Sequence, residues 1–265
     1  MTYLDIPLPR LAVAFALVLV AILVSMRMGL HLTWALLVGA VRGAVQLLAV
    51  GYLLVLLFAH QQPASVLGLL AVMLFVAAWT SASRVEHGPG LRVLLPRSLA
   101  AIVVGSSVAL VPIFVLVLHP SPWFDARYLV PLSGMIVANA MNVVAQVQER
   151  IFASTTRDGT QAQIEQLLAL GATSRQALGP EVTAAVRAAL IPTLNGLLTV
   201  GLVALPGMMT GQILSGTAPD HAIRYQIIIL YQLVVVAAVS GSMAAYFARR
   251  VLFTKWDQLV VRRDG

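Results

Sequence analysis

The chain has 265 residues, of which 60% are hydrophobic and only 10% charged, with a net charge of +7 and a mean hydropathy of +0.91. A water-soluble domain carries about a quarter charged residues, so the composition excludes one and predicts an all-α polytopic membrane protein. The excess of positive charge is then expected to flank membrane spans, which removes nucleic acid as its explanation, and the absence of cysteine excludes disulfides and thiolate metal sites.

A helical span needs about twenty apolar residues, and seven are expected, at 8–26, 33–59, 64–83, 97–118, 128–149, 185–205 and 222–248. The first run, "LAVAFALVLVAILVSM", is too long for a signal-peptide h-region and is followed by no small-residue cleavage site. Between spans, "RMGLH" (27–31) and "HQQP" (60–63) read as tight turns. "RVEHGPGLR" (84–92) reads as a charged loop with a Pro-Gly breaker, and "HPSPWFD" (119–125) as a Pro-rich turn carrying an interfacial tryptophan. The interval 150–184 is the only long polar stretch between spans, a cytoplasmic loop inside a single transmembrane domain of 1–265. With the N-terminus outside, Arg27, Arg84, Arg92, Arg97, Arg150, Arg157, Arg175, Arg187, Arg249, Arg250, Lys255, Arg262 and Arg263 fall in or beside the cytoplasm. Only Arg10, Arg127 and Arg224 fall outside, so the positive-inside rule favours a cytoplasmic C-terminus in a multi-pass protein of the cell membrane.

Span two contains Arg42, the single charge deep in a span, with Gln46 one turn further on the same face. Centring an arginine in a bilayer costs about 2.5–3.5 kcal/mol on insertion scales. The pair is therefore expected either to snorkel or to point into protein or a water-filled path, where Arg42 would meet an anionic group. In span five Asn139, Asn142 and Gln146 follow i, i+3, i+7, a polar row that either bonds neighbouring helices or lines a cavity.

In the polar interval, "QIEQLLALGATSRQALGP" (163–180) reads as a helix, a break and a second helical turn. Ile164, Leu167, Leu168 and Gly171 share one face. Gly171 suits a left-handed C-cap, Thr173 or Ser174 an N-cap for a turn beginning near Arg175, and Pro180 with Glu181 the first turn of the helix entering span six. Such an element is either a surface helix on the headgroups or a coupling helix that passes motion from a cytoplasmic partner. Span six offers Thr193, Asn195 and Thr199 to the same path as span five, and "LPGMMTGQIL" (205–214) breaks its end. Met208 and Met209 there are thioethers, ligands for soft metals, and otherwise packing residues. The small residues of "GAVRGAVQ" and "VSGSMAAY" allow close helix approach and fit a homodimer interface.

The chain has one lysine, Lys255, without the glycines of a phosphate cradle, so it is not expected to be an enzyme hydrolysing ATP by that route. The acids and histidines all fall in loops or at span ends, which disfavours the buried carboxylate or histidine relays of proton-coupled carriers.

Three long stretches resemble the FetB-type family of ABC-transporter permeases: "VGAVRGAVQLLAVGYLL" (38–54), "PLSGMIVANAMN" (131–142) and "RAALIPTLNGLLTVGLVALPGMMTGQILSGTAPDHAIRYQI" (187–227). Glu165, Ala169, Gly171, Ile191 and Pro192 are similar to the Glu-Ala-Ala…Gly…Ile-x-Leu-Pro coupling loop of ABC permeases, with Gln166 and Leu167 in place of common alanines. The family has a glycine where this chain has Ala138. The resemblance implies a transmembrane subunit that pairs as a homodimer and works with a separate cytoplasmic ABC ATPase, which uses the ATP, this chain holding no cofactor of its own. It implies export, of iron in the bacterial members, and coupling through Glu165, Leu168, Gly171, Thr173 and Arg175. The substrate path would then take in Arg42, Gln46, Asn139, Asn142, Gln146, Thr193, Asn195, Met208 and Met209. An ion- or proton-coupled secondary transporter and a non-transporting scaffold are the other readings.

Overall fold

The computed structural model describes residues 8–60, 62–156 and 158–260. Arg157, Arg262, Arg263, Asp5 and Asp264 lie outside them, as does the side chain of Arg10. Among the described residues ten α-helices follow one another: α1 (Leu8–Arg27), α2 (Thr33–Ala59), α3 (Pro63–Ser83), α4 (Leu91–Ile113), α5 (Ala126–Thr155), α6 (Asp158–Ala169), α7 (Ser174–Ala177), α8 (Gly179–Thr199), α9 (Gly207–Leu214) and α10 (Pro219–Leu252). The all-α polytopic architecture is as expected. Among the described residues six helices are long and apolar enough to cross a membrane: α2, α3, α4 with its π-helical extension, α5, α8 and α10. In α1 a shorter apolar segment, Ala16–Arg27, is present.

The described chain forms two compact units, 1–62 and 63–265. In the first, α1 and α2 form an antiparallel hairpin. Its turn is set by Gly29 at φ +64 and His31 at φ +53, and Ser25 Oγ accepts from Leu32 N at 3.2 Å. In the second unit α10 packs against α4, α5, α8 and α9, while α3 packs against α4 and α5. α4 and α10 come close together: a Cβ built on Gly105 would lie 3.0 Å from Ser240 Cβ and 3.1 Å from its backbone N. The core is made of small and β-branched side chains, Ala101, Ala140, Val144, Val236, Ala237 and Ala244 among them, which lets these backbones come together.

Several ends differ from the sequence expectation. Span four starts at Leu91, so the charged loop is only 84–90, and it ends as a π-helix, Phe114–Leu118. Pro112 lacks an N–H and disturbs the regular ladder just before that π-turn. Span five runs to Thr155, and the expected loop 150–184 is mostly helical. Span six begins at Gly179 and stops at Thr199, six residues before the expected 205. The chain turns over 200–206 with Gly201 at φ +79, and restarts as α9 after Pro206. At α5, Asp125 Oδ1 accepts from Arg127 N at 2.9 Å and caps the helix.

Candidate functional site

The two-part element is built by local rules. At the end of α6, Ala172 N donates to Leu167 O and Gly171 N to Leu168 O, both at 3.0 Å, with Gly171 at φ +88. That is the Schellman pattern, which satisfies two last-turn carbonyls and needs a residue that tolerates a positive φ. Thr173 then caps α7: its Oγ1 accepts from Gln176 N, while Gln176 Oε1 accepts from Thr173 N at 2.9 Å, a reciprocal capping box. Pro180 and Glu181 occupy the first turn of α8. Gly171, Thr173 and Pro180 thus sit in the local roles read from the sequence.

The element is seated, not loose. Ile164, Ala177 and Leu178 are buried in the same core cluster as Ile151 and Phe152 of α5, and Leu168 packs partly against it. Leu167, expected on the same apolar face, is 39% exposed. Glu165 lies on the outer surface, where its carboxylate accepts from Gln161 Nε2 at 2.8 Å, and Arg175 is exposed. Leu170, which periodicity did not single out, is 84% exposed at the corner between α6 and α7.

The polar row of α5 divides. Asn139 Nδ2 donates to Leu233 O of α10 at 3.0 Å, and its Oδ1 accepts from Thr193 Oγ1 of α8 at 3.3 Å, so this amide ties three helices. Asn142 is exposed and accepts from Arg84 Nη1 at 3.0 Å, and Gln146 is exposed on the same side. Asn195 is exposed on α8, where its carbonyl accepts from Thr199 Oγ1 at 2.8 Å. In the first unit, Arg42 and Gln46 are both exposed. Met208 and Met209 are half-buried on α9. Among the described residues no three His, Cys, Asp or Glu side chains gather into a metal-binding group.

Two features escaped the sequence reading. Gln148 is fully buried, its Oε1 accepting from Ser98 Oγ at 3.0 Å while Nε2 has no partner. It shares a face with Val144 and Ile151, four before and three after, which are also fully buried; that spacing was the available signal. Glu149, read as a span-edge acid, clamps the 84–90 loop: its carboxylate accepts from Glu86 N at 2.8 Å and lies 2.6 Å from His87 Nδ1.

The model of the family described as Uncharacterised protein family (UPF0014) matches residues 8–253. The chain is 37% identical to the Probable iron export permease protein FetB of Escherichia coli over 251 residues, 95% of this chain and 94% of that protein. It is 36% identical to a UPF0014 membrane protein of Synechocystis over 233 residues, 88% of each chain. With Protein ALUMINUM SENSITIVE 3 of Arabidopsis thaliana the identity is 33% over 251 residues, 94% of this chain and 88% of that protein. No solved structure matches significantly.

Proposed function

The chain belongs to the UPF0014 family of membrane proteins and is a relative of the FetB-type permease, and on that premise we propose that it is the transmembrane permease subunit of an ABC-type exporter of metal ions, driven by a separate ATP-binding subunit. The substrate class is carried over from the bacterial relative named for iron export. The observation that carries the coupling is the seated corner α6–Gly171–α7 between two membrane-crossing helices. A partner pressing on Leu170 and its neighbours would move Ile164 against α5 and Leu178 against α8, because both are buried in the core those helices share. Close-packed interiors transmit such a displacement instead of absorbing it. The basic residues favour placing this corner in the cytoplasm, with the N-terminus of the chain outside.

Asn142, Gln146 and Asn195 are exposed on helices that cross the membrane. Amides facing hydrocarbon are costly, so this surface favours a second copy or a water-filled path beside it. A homodimer enclosing the path between protomers satisfies both. Asn139 and Thr193 hold the wall of that path together. The secondary-carrier reading is less well supported: among the described residues the buried polar side chains are Ser, Thr and Gln, none of which carries a proton in a relay.

The test is reconstitution in proteoliposomes with candidate ATPases. ATP-dependent metal flux, abolished by Gly171→Pro without loss of the folded permease, is the expected result. Flux that follows an ion gradient without ATP, or an ATPase complex that is indifferent to the 163–178 segment, would overturn it.

A further inference from the structure

At the end of the bundle where α8 begins and α10 finishes, a groove of about 780 Å³ opens between α7, α8 and α10. Arg175, Arg187 and Arg249 line it, beside apolar residues that include Leu178, Val182 and Tyr246. No acidic side chain lines it, and none of the three arginines forms an ion pair with any described residue. The neighbouring groove shares Arg249 and adds Arg250 and Lys255, against the single acid Asp257. The guanidiniums of Arg249 and Arg250 lie 5.9 and 4.9 Å from the Tyr246 ring centroid, which braces them beside the opening. Glu181 stands in the first turn of α8 but does not line the groove.

Three cations that line one cavity without an acid repel one another, and an anion between them relieves the repulsion. Guanidinium forks match phosphate oxygens, two donors to two acceptors. The apolar wall belongs to two helices that cross the membrane, so the anion's carrier also has a hydrocarbon part to bury. We propose that this groove binds an anionic phospholipid, its phosphate among Arg175, Arg187 and Arg249 and an acyl chain along Val182 and Tyr246. Of the coupling residues only Arg175 is shared, so the assignment stands whether or not an ATPase grips α6 and α7.

The purified full chain is delipidated in a neutral detergent, titrated with phosphatidylglycerol or phosphatidylcholine, and read by native mass spectrometry for retained lipid. Phosphatidylglycerol is expected to be retained and phosphatidylcholine lost. The double variant Arg187→Gln with Arg249→Gln should weaken retention about tenfold or more. Should that variant fail to fold, Thr183→Trp provides the second arm: Thr183 is an exposed lining residue, so the indole narrows the groove and leaves every charge in place. It is expected to expel the lipid too. Equal retention of both lipids, or full retention in Thr183→Trp, overturns the site, the latter because diffuse charge alone would then explain binding. Displacement of phosphatidylglycerol by millimolar inorganic phosphate overturns the lipid as the source of the anion. Loss of a co-purifying ATPase in the double variant with lipid retention unchanged assigns the arginines to a protein partner and overturns it as well.

Discussion

Replacing Gly171 by alanine separates backbone conformation from packing. A Cβ at this position would meet nothing within 4 Å, so no steric clash arises; only the φ of +88 resists it. The left-handed region costs an L-residue about 1–2 kcal/mol, offset by about 0.4–1 kcal/mol because alanine has fewer unfolded conformations to lose. The net is about 1 kcal/mol, or roughly fivefold in the equilibrium between closed and open corner. The amides of Gly171 and Ala172, which donate to Leu168 and Leu167, are the reporters. Their hydrogen exchange in Gly171→Ala should quicken about fivefold while amides in the α4–α10 core keep their protection. Gly159→Ala is the control: it also meets nothing within 4 Å, its φ is ordinary, and it lies inside α6, where alanine favours the helix by up to about 1 kcal/mol. Opposite shifts of exchange in the two variants are expected. The same shift in both, or an unchanged corner in Gly171→Ala, would show that the left-handed glycine does not hold the two helices in place.

Gly105→Val should lower the melting temperature of the detergent-solubilised protein by an overpacking cost of about 1–3 kcal/mol; Ser240→Gly should restore part of it, since Ser240 supplies the nearest atoms. Ser98→Ala leaves both ends of the buried Gln148 amide unpaired and should destabilise by about 1–3 kcal/mol. Adding Gln148→Leu should recover most of that loss, a coupling that a double-mutant cycle measures. Glu149→Ala frees the backbone N–H groups of Glu86 and His87, so exchange at those two amides and proteolytic cutting within 84–90 should both rise, with α5 itself intact.

What could be read from the sequence was what is decided within a few residues. Span positions, the turn at Gly29, the positive φ of Gly171, the cap at Thr173 and the proline start of α8 all depend on neighbours along the chain. Helix ends were less legible, because α5 is carried past its apolar stretch by packing: Phe152 is buried where only a polar tail was expected. The break at Thr199 came early because 200–206 turns on Gly201, a residue that also reads as ordinary within an apolar run. Polar residues were the hardest. Asn139, Asn142 and Gln146 form one row by spacing, yet their surroundings differ: Asn139 bonds Leu233 and Thr193, Asn142 bonds Arg84, and Gln146 is exposed. Gln148 lies off that row and is the one sealed in the core.

The 30 residues of α5 and 34 of α10 make rods of about 45 and 51 Å at 1.5 Å per residue. The oily layer is about 30 Å thick, and even at a steep 40° inclination α10 still reaches about 39 Å along the normal. These two helices are therefore stilts that stand clear of the lipid, whereas α3 and α8, 21 residues each, barely cover it. Thinning or thickening the bilayer would tip the short pair first. The corner hangs between the foot of one long rod, α5, and the start of a short one, α8, so a change of bilayer thickness that tips α8 reaches it through Leu178 and Gly179.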